Sequence, residues 1–121
     1  MSKICFITMG NLYLCPYMES YTDNIDVDYD VVYWDRDNIS ELTNARKVYK
    51  FSSPTKVNGN KNIFKKAVGY FLFYKFVNKI LKRNNYEYII LLQTLAGMVA
   101  SKTLLKKYKN KYILDIRDYT F

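Results

Sequence analysis

The chain alternates short apolar runs with longer amphipathic stretches. Lys3–Thr8 (KICFIT) is nearly all apolar, which suits a strand covered on both faces. Met9-Gly10-Asn11 ends it in a turn. Pro16 suits the first turn of a helix running through MESYTDNI. Asp30–Asp35 (DVVYWD) reads as a second strand and Val48–Phe51 (VYKF) as a short third. Residues 52–62 (SSPTKVNGNKN) are loop by composition. A helix over 62–84 follows, with Asn60 or Asn62 as its cap. In it Ile63, Ala67, Tyr70, Tyr74, Val77 and Leu81 recur at helical spacing and are expected to form the buried stripe. Leu72, Phe73, Phe76 and Ile80 then form a second apolar flank, read first as ordinary core and otherwise as a face for another element, another chain or a lipid surface. Tyr86–Leu92 (YEYIILL) is a buried strand, and Thr94 is the expected cap of a helix over Leu95–Tyr108. Ala96, Val99, Ala100, Thr103 and Leu104 line that helix's inner side, and lysines gather at its C-terminal end, where they complement the helix dipole. Tyr112–Ile116 is the last strand.

Strands that alternate with helices imply right-handed crossovers and a mostly parallel sheet. The expectation is one α/β domain over 1–121: a three-layer, Rossmann-like fold with strand order 3-2-1-4-5 and its crevice at the C-terminal ends of the first and fourth strands. The residues placed there are Gly10 and Asn11, then Asp35, Arg36 and Asp37, then Gln93 and Thr94, then Arg117 and Asp118. Gly10 lets a ligand approach the backbone. Asp115 and Arg117 of the DIRD run share a strand face, as an ion pair or as part of a polar cluster on the cleft. Arg36 between two aspartates reads more weakly, as ordinary loop charge, and Trp34 reads as core.

Composition narrows the chemistry. The 121 residues are 50% hydrophobic and 17% aromatic, so a disordered or low-complexity chain is excluded. There is no histidine, which removes His bases, Ser–His–Asp relays and His metal ligands from this chain. Neither a G-x-G-x-x-G turn nor a P-loop is present, and four glycines build no phosphate cradle. No cofactor or metal is expected. Cys5 reads as buried and Cys15 as a loop residue; whether they pair is open, and the composition suits a reducing compartment. The N-terminal apolar run is too short for a signal peptide, and AVGYFLFY at 67–74 falls short of the ~20 residues of a membrane span. A cytoplasmic protein is expected.

The net charge of +8 is unevenly spread. Residues 1–45 hold eight acids and two bases, and residues 46–121 hold seventeen bases and three acids. One surface should therefore carry a strong positive field, either as a plain solvated face or as an attractor of phosphates. A nucleic-acid module is the competing reading, since lysines and thirteen tyrosines allow phosphate contact and stacking. No RNA-recognition, zinc-finger or helix-turn-helix signature supports it, so nucleic acid is not the expected partner. A response-regulator-like domain would need paired acids after the first strand, and Met9-Gly10-Asn11 has none.

The runs KICFITMGN, DYDVVYWDRD and YEYIILLQTLAGMVASKTLLKKYKNKYILDIRDYTF resemble, in order and spacing, the N-terminal domain of GT-B glycosyltransferases. The likeness is greatest to the retaining family that builds capsular, O-antigen and exopolysaccharide chains, and DIRDYTF is its most specific piece. The chain departs from that family in having one glycine, Gly10, in the first loop and Gln93 where many members carry histidine. The second domain, which holds the nucleotide sugar through an E-x(7)-E motif, is not in these residues. The resemblance implies the acceptor side of an enzyme that moves a sugar from a nucleotide donor to a lipid-linked or saccharide acceptor. A fragment inactive on its own is the expectation. It further implies substrate contacts at Gly10, Asn11, Gln93, Thr94, Arg117 and Asp118. The basic helix would rest peripherally on an anionic membrane through Lys65, Lys66, Lys75, Lys79, Lys82 and Arg83. The last strand would leave a sheet edge able to pair with a second copy.

Overall fold

A computed structural model describes residues 3–36, 39, 43–52 and 63–115. Five strands form one parallel sheet: β1 (Ile4–Thr8), β2 (Tyr29–Trp34), β3 (Lys47–Phe51), β4 (Tyr88–Leu91) and β5 (Tyr112–Leu114). Their order is β3-β2-β1-β4-β5, as the alternation of strands and helices implies. β1 sits in the centre, with Cys5 opposite Asp30 on one side and Ile89 on the other. That central place explains its unbroken apolar run, since four of its five residues are buried.

Side chains alternate between the faces and build two cores. On one face Cys5, Ile7, Val32, Trp34, Ile89 and Leu91 pack against α2 (Ile63–Arg83) and α3 (Thr94–Lys107). On the other, Phe6, Val31, Tyr33, Ile90 and Leu92 lie under a 3-10 turn (Leu12–Leu14) and the short helix α1 (Met18–Thr22). The fold is thus α/β in three layers, with a thick helical layer on one side and a thin one on the other.

α2 corrects the expected stripe. Its buried apolar side chains are Phe73, Val77, Ile80 and Leu81, with Leu72 and Phe76 packed beside them. Val77 and Leu81 of the expected stripe are buried, Ala67 and Tyr70 of it are exposed, and the second flank is core, as its first reading had it. The reason is aromatic packing: Phe73 stacks on Trp34 at 5.3 Å between centroids and meets Phe51 edge-on at 5.3 Å. Burying Phe73 contributes on the order of 2–3 kcal/mol, which outweighs placing Ala67 inward. Proposed caps at Asn60 and Asn62 lie outside the described residues.

In α3 the expected inner face holds: Ala96, Ala100, Thr103 and Leu104 are buried and Val99 partly so. Thr103 donates to the Asn78 side chain of α2, whose amide also reaches the Val99 carbonyl at 3.1 Å, so the helix interface has a satisfied polar pin. Thr94 is not the cap: it is the first helical residue, and Gln93 flanks the helix without a side-chain capping bond. The Lys107 ammonium donates to carbonyls at the end of α2, Lys82 at 2.9 Å and Asn84 at 2.6 Å, instead of serving only its own helix. Asn110 takes a left-handed turn (φ 64°) into β5, a conformation asparagine tolerates. β5 is half-exposed along its length and forms one edge of the sheet.

Candidate functional site

The C-terminal tips of β1, β2 and β4 converge. The Met9 amide, just past β1, donates to the Gln93 side-chain oxygen just past β4 at 3.2 Å. The Leu92 amide donates to the Ile7 carbonyl at 3.0 Å. Gly10, Asn11, Gln93 and Thr94 therefore share one end of the sheet, as expected. Arg117 and Asp118 lie outside the described residues.

Asn11 is fully buried and uses both ends of its amide internally. Its nitrogen donates to the Asp35 carboxylate at 2.7 Å and its oxygen accepts the Arg36 backbone N–H at 2.9 Å. It straps the β1 loop to the end of β2. Asp35 also has the Lys50 ammonium 3.0 Å from its other oxygen and the Ile39 amide 3.3 Å away. Burial pushes its pKa up, but the bonds from Asn11, Lys50 and Ile39 outweigh that and hold it below the usual carboxylate value.

Arg36 is the residue that the sequence underrated. Its Nε donates to the Met9 carbonyl at 2.9 Å. Its guanidinium lies over Trp34 at 4.2 Å and beside Tyr70 of α2 at 5.5 Å from the ring centre. An aromatic residue ending β2 and followed by Asp-Arg was the available signal; the contact with Tyr70, distant in sequence, was not visible. Beside this arginine runs an open apolar trough of about 440 Å³ lined by Met9, Tyr70, Phe71, Tyr74, Leu95 and Met98.

Behind the tips, Tyr17 donates to the Leu92 carbonyl, and Thr8 meets the Cys15 sulfur at 3.3 Å. Cys15 and Cys5 are both free and buried, which answers the open question of a bridge. Asp115 accepts from Tyr21 at 2.6 Å, so the end of β5 is tied to α1.

A second buried network occupies the opposite end of the sheet. Asp30 accepts from Tyr86 at 2.6 Å and from Arg46 at 3.2 Å. Burial, then the neighbouring Cys5 and Asp30, push the Tyr86 hydroxyl far up, and burial and Asp30 do the same to the Cys5 thiol. Its position at the N-terminal strand ends marks it as a support of the fold, since ligands in such sheets bind at the other end.

The sheet also divides the charge. Exposed Lys75, Lys79, Lys82 and Arg83 of α2, with Lys102, Lys106 and Lys107 of α3, lie on one side. Exposed Glu19 of α1 lies on the other, with Asp23 directly after that helix. Lys65 and Lys66 fall in the first turn of α2. Among the described residues no group of three or more His, Cys, Asp or Glu is placed to hold a metal, and no helix is long and apolar enough to cross a membrane.

The chain matches no family model, no curated protein and no solved structure.

Proposed function

We propose that this chain is the acceptor-side lobe of a two-lobed glycosyltransferase, acting on a lipid-linked or saccharide acceptor in cell-surface polysaccharide synthesis. The observation that supports it best is the convergence of the β1, β2 and β4 tips around Gly10, Arg36, Gln93 and Thr94, the ligand end of a parallel sheet. No glycine-rich turn cradles a nucleotide here, so the nucleotide sugar belongs to the second lobe. Transfer breaks the bond from the anomeric carbon to the diphosphate and forms one to an acceptor oxygen. The acceptor hydroxyl loses its proton, and the nucleoside diphosphate leaves. This lobe's part is to hold the acceptor.

The lysine side of α2 and α3 suits peripheral contact with an anionic membrane on its cytoplasmic face, and should bind anionic vesicles in low salt and release them in high salt. Binding that ignores salt, or no binding, argues against this part. For the enzyme reading, the decisive assay extends the chain through its downstream reading frame and measures sugar transfer against the 121 residues alone. Transfer only by the extended chain supports the reading. A downstream frame without a second α/β lobe overturns it.

A second reading has one specific observation behind it. Between β3 and α2 a recess of about 330 Å³ is lined by Lys47, Tyr49, Lys79 and Arg83, a mixture suited to an anionic polymer. Single-stranded DNA binding with a steep salt slope, lost in Arg83→Ala, would favour it.

A further inference from the structure

The two edges of the sheet differ. β3 ends one side and carries exposed Lys47 and Lys50, the usual guard against pairing with another chain. β5 ends the other, and Tyr112-Ile113-Leu114 carries no charge. At its ends the Lys111 carbonyl accepts from the Ile89 amide at 2.9 Å, and the Asp115 amide donates to the Leu91 carbonyl at 2.8 Å. Backbone groups along a strand face alternate sides. Lys111, Ile113 and Asp115 therefore serve β4, while Tyr112 and Leu114 turn their N–H and C=O groups out of the sheet. Among the described residues nothing takes those outward groups up.

On the helical face of this edge lies an apolar groove of about 460 Å³ between α3 and β5. Leu114 reaches the α3 backbone there: a Cβ on Gly97 would stand 3.1 Å from its Cδ1. Tyr112, two residues back, shares that face. Met98 and Leu105 of α3 also line the groove. At 66% and 64% they are the most exposed large apolar side chains among the described residues. Apolar side chains beside unspent strand hydrogen bonds are complementary to the same edge of another molecule.

We propose that β5 pairs antiparallel with β5 of a second copy, about a two-fold axis through Ile113, joining the two sheets into one. In this register Tyr112 of each copy lies opposite Leu114 of the other. Both pairs exchange backbone hydrogen bonds, so every outward group of the strand is used. Lys111 of each copy falls opposite Asp115 of the other in the closer, non-hydrogen-bonded position, on the face away from α3, where opposite charges attract. Asp115 keeps its bond from Tyr21 at 2.6 Å, because a carboxylate accepts several donors. Centring the pair on Tyr112 instead would set Leu114 opposite Asn110, which leaves the strand with φ 64°. The axis stands upright on the sheet, so the α3 helices of both copies come to the same side. Each α3 packs over both β4 and β5. With strands ~4.8 Å apart, the two helix axes then lie about 10 Å apart, a normal packing distance. Met98 and Leu105 of both copies close over the joined strands. Such an isologous contact stops at two copies. It uses the sheet edge and not the strand tips, so it goes beyond the acceptor reading and does not depend on it.

Sedimentation of the full chain from micromolar to millimolar concentration, with hydrogen exchange at both extremes, tests it. Mass should double and stop there. The Tyr112 and Leu114 amides should gain protection in the dimer, while Ile113, bonded to β4 in both states, changes least. Lys111→Glu sets like charges opposite each other across the strands and should weaken the dimer by about tenfold; adding Asp115→Lys should restore it. Lys111 is exposed, so its replacement should leave the monomer folded, as circular dichroism would show. Leu105→Lys, also exposed, should weaken the dimer through the groove by a similar factor. A chain that stays monomeric overturns the proposal. If its Tyr112 and Leu114 amides are protected all the same, residues 116–121 are the occupant of the edge. A dimer in which those two amides exchange as in the monomer, or one indifferent to Lys111→Glu, joins elsewhere and overturns it too. So does mass that keeps growing with concentration, the mark of open-ended β3-to-β5 pairing.

Discussion

Asn11→Ala is the sharpest perturbation of the strand-tip crevice. The substitution removes the amide that donates to Asp35 at 2.7 Å and the oxygen that accepts the Arg36 amide at 2.9 Å. A hydrogen bond to a charged group contributes about 1.5–3 kcal/mol and a neutral one about 1 kcal/mol. The side chain is fully buried, so water does not readily replace it. The expected loss is about 3 kcal/mol, or a fall in Tm of about 10 °C for a domain of this size. The pH dependence carries a second signature. The folded pKa of Asp35 lies below its usual value of 3.8, so the carboxylate stabilises the fold above that pH, and its contribution is lost as pH falls through the folded pKa. In Asn11→Ala burial still raises the pKa while the strongest opposing bond is gone, so the acid limb of stability moves to higher pH. Urea unfolding followed by tryptophan fluorescence between pH 3 and 7 reads both effects, because Trp34 adjoins Asp35. A loss below about 1 kcal/mol, or an unshifted acid limb, refutes the strap.

Further expectations concern the core and the far end of the sheet. Phe73→Ala should cost about 3–5 kcal/mol and Ala67→Ser under about 0.5 kcal/mol in chemical denaturation; comparable costs would restore the stripe read from spacing. Tyr86→Phe strips the buried Asp30 of a donor and should cost about 2 kcal/mol without changing ligand binding at the opposite end, as thermal unfolding and titration would show. Because the Tyr86 pKa is raised in the folded state, its contribution is complete below pH ~10 and is lost as pH rises beyond it, so alkaline unfolding should set in there and ease in Tyr86→Phe. A thiol reagent at pH 8 should label neither Cys5 nor Cys15 in the folded chain and both in urea, since both are buried; rapid native labelling would contradict their packing.

The sheet was legible in the sequence because burial on two faces leaves a continuous apolar run. KICFIT, DVVYWD and YEYIILL each fall within two residues of an observed strand end. The helix α2 was legible as a helix but not in its rotation. Two apolar series at helical spacing compete there, and only the arrival of Trp34 and Phe51 from the sheet decides for Phe73. The cap at Thr94 failed by one position: Thr94 opens the helix, and the Gln93 side chain before it accepts from the Met9 amide across the sheet. Gly10 and Gln93 could be placed at the crevice from their position after strands. The strap by Asn11 and the pinning of Arg36 depend on residues 24 to 34 positions away, which no local pattern reveals.

Backbone amide shifts in a 15N-labelled chain, recorded while an octyl-diphosphate-linked saccharide is added, test most directly whether the converging strand tips are the working face. The amides of Gly10, Arg36, Tyr70, Gln93 and Thr94 should move together and saturate at one equivalent, with Asp30, Arg46 and Tyr86 still. Shifts centred on the latter three, or spread evenly over the lysines of α2 and α3, would contradict the account.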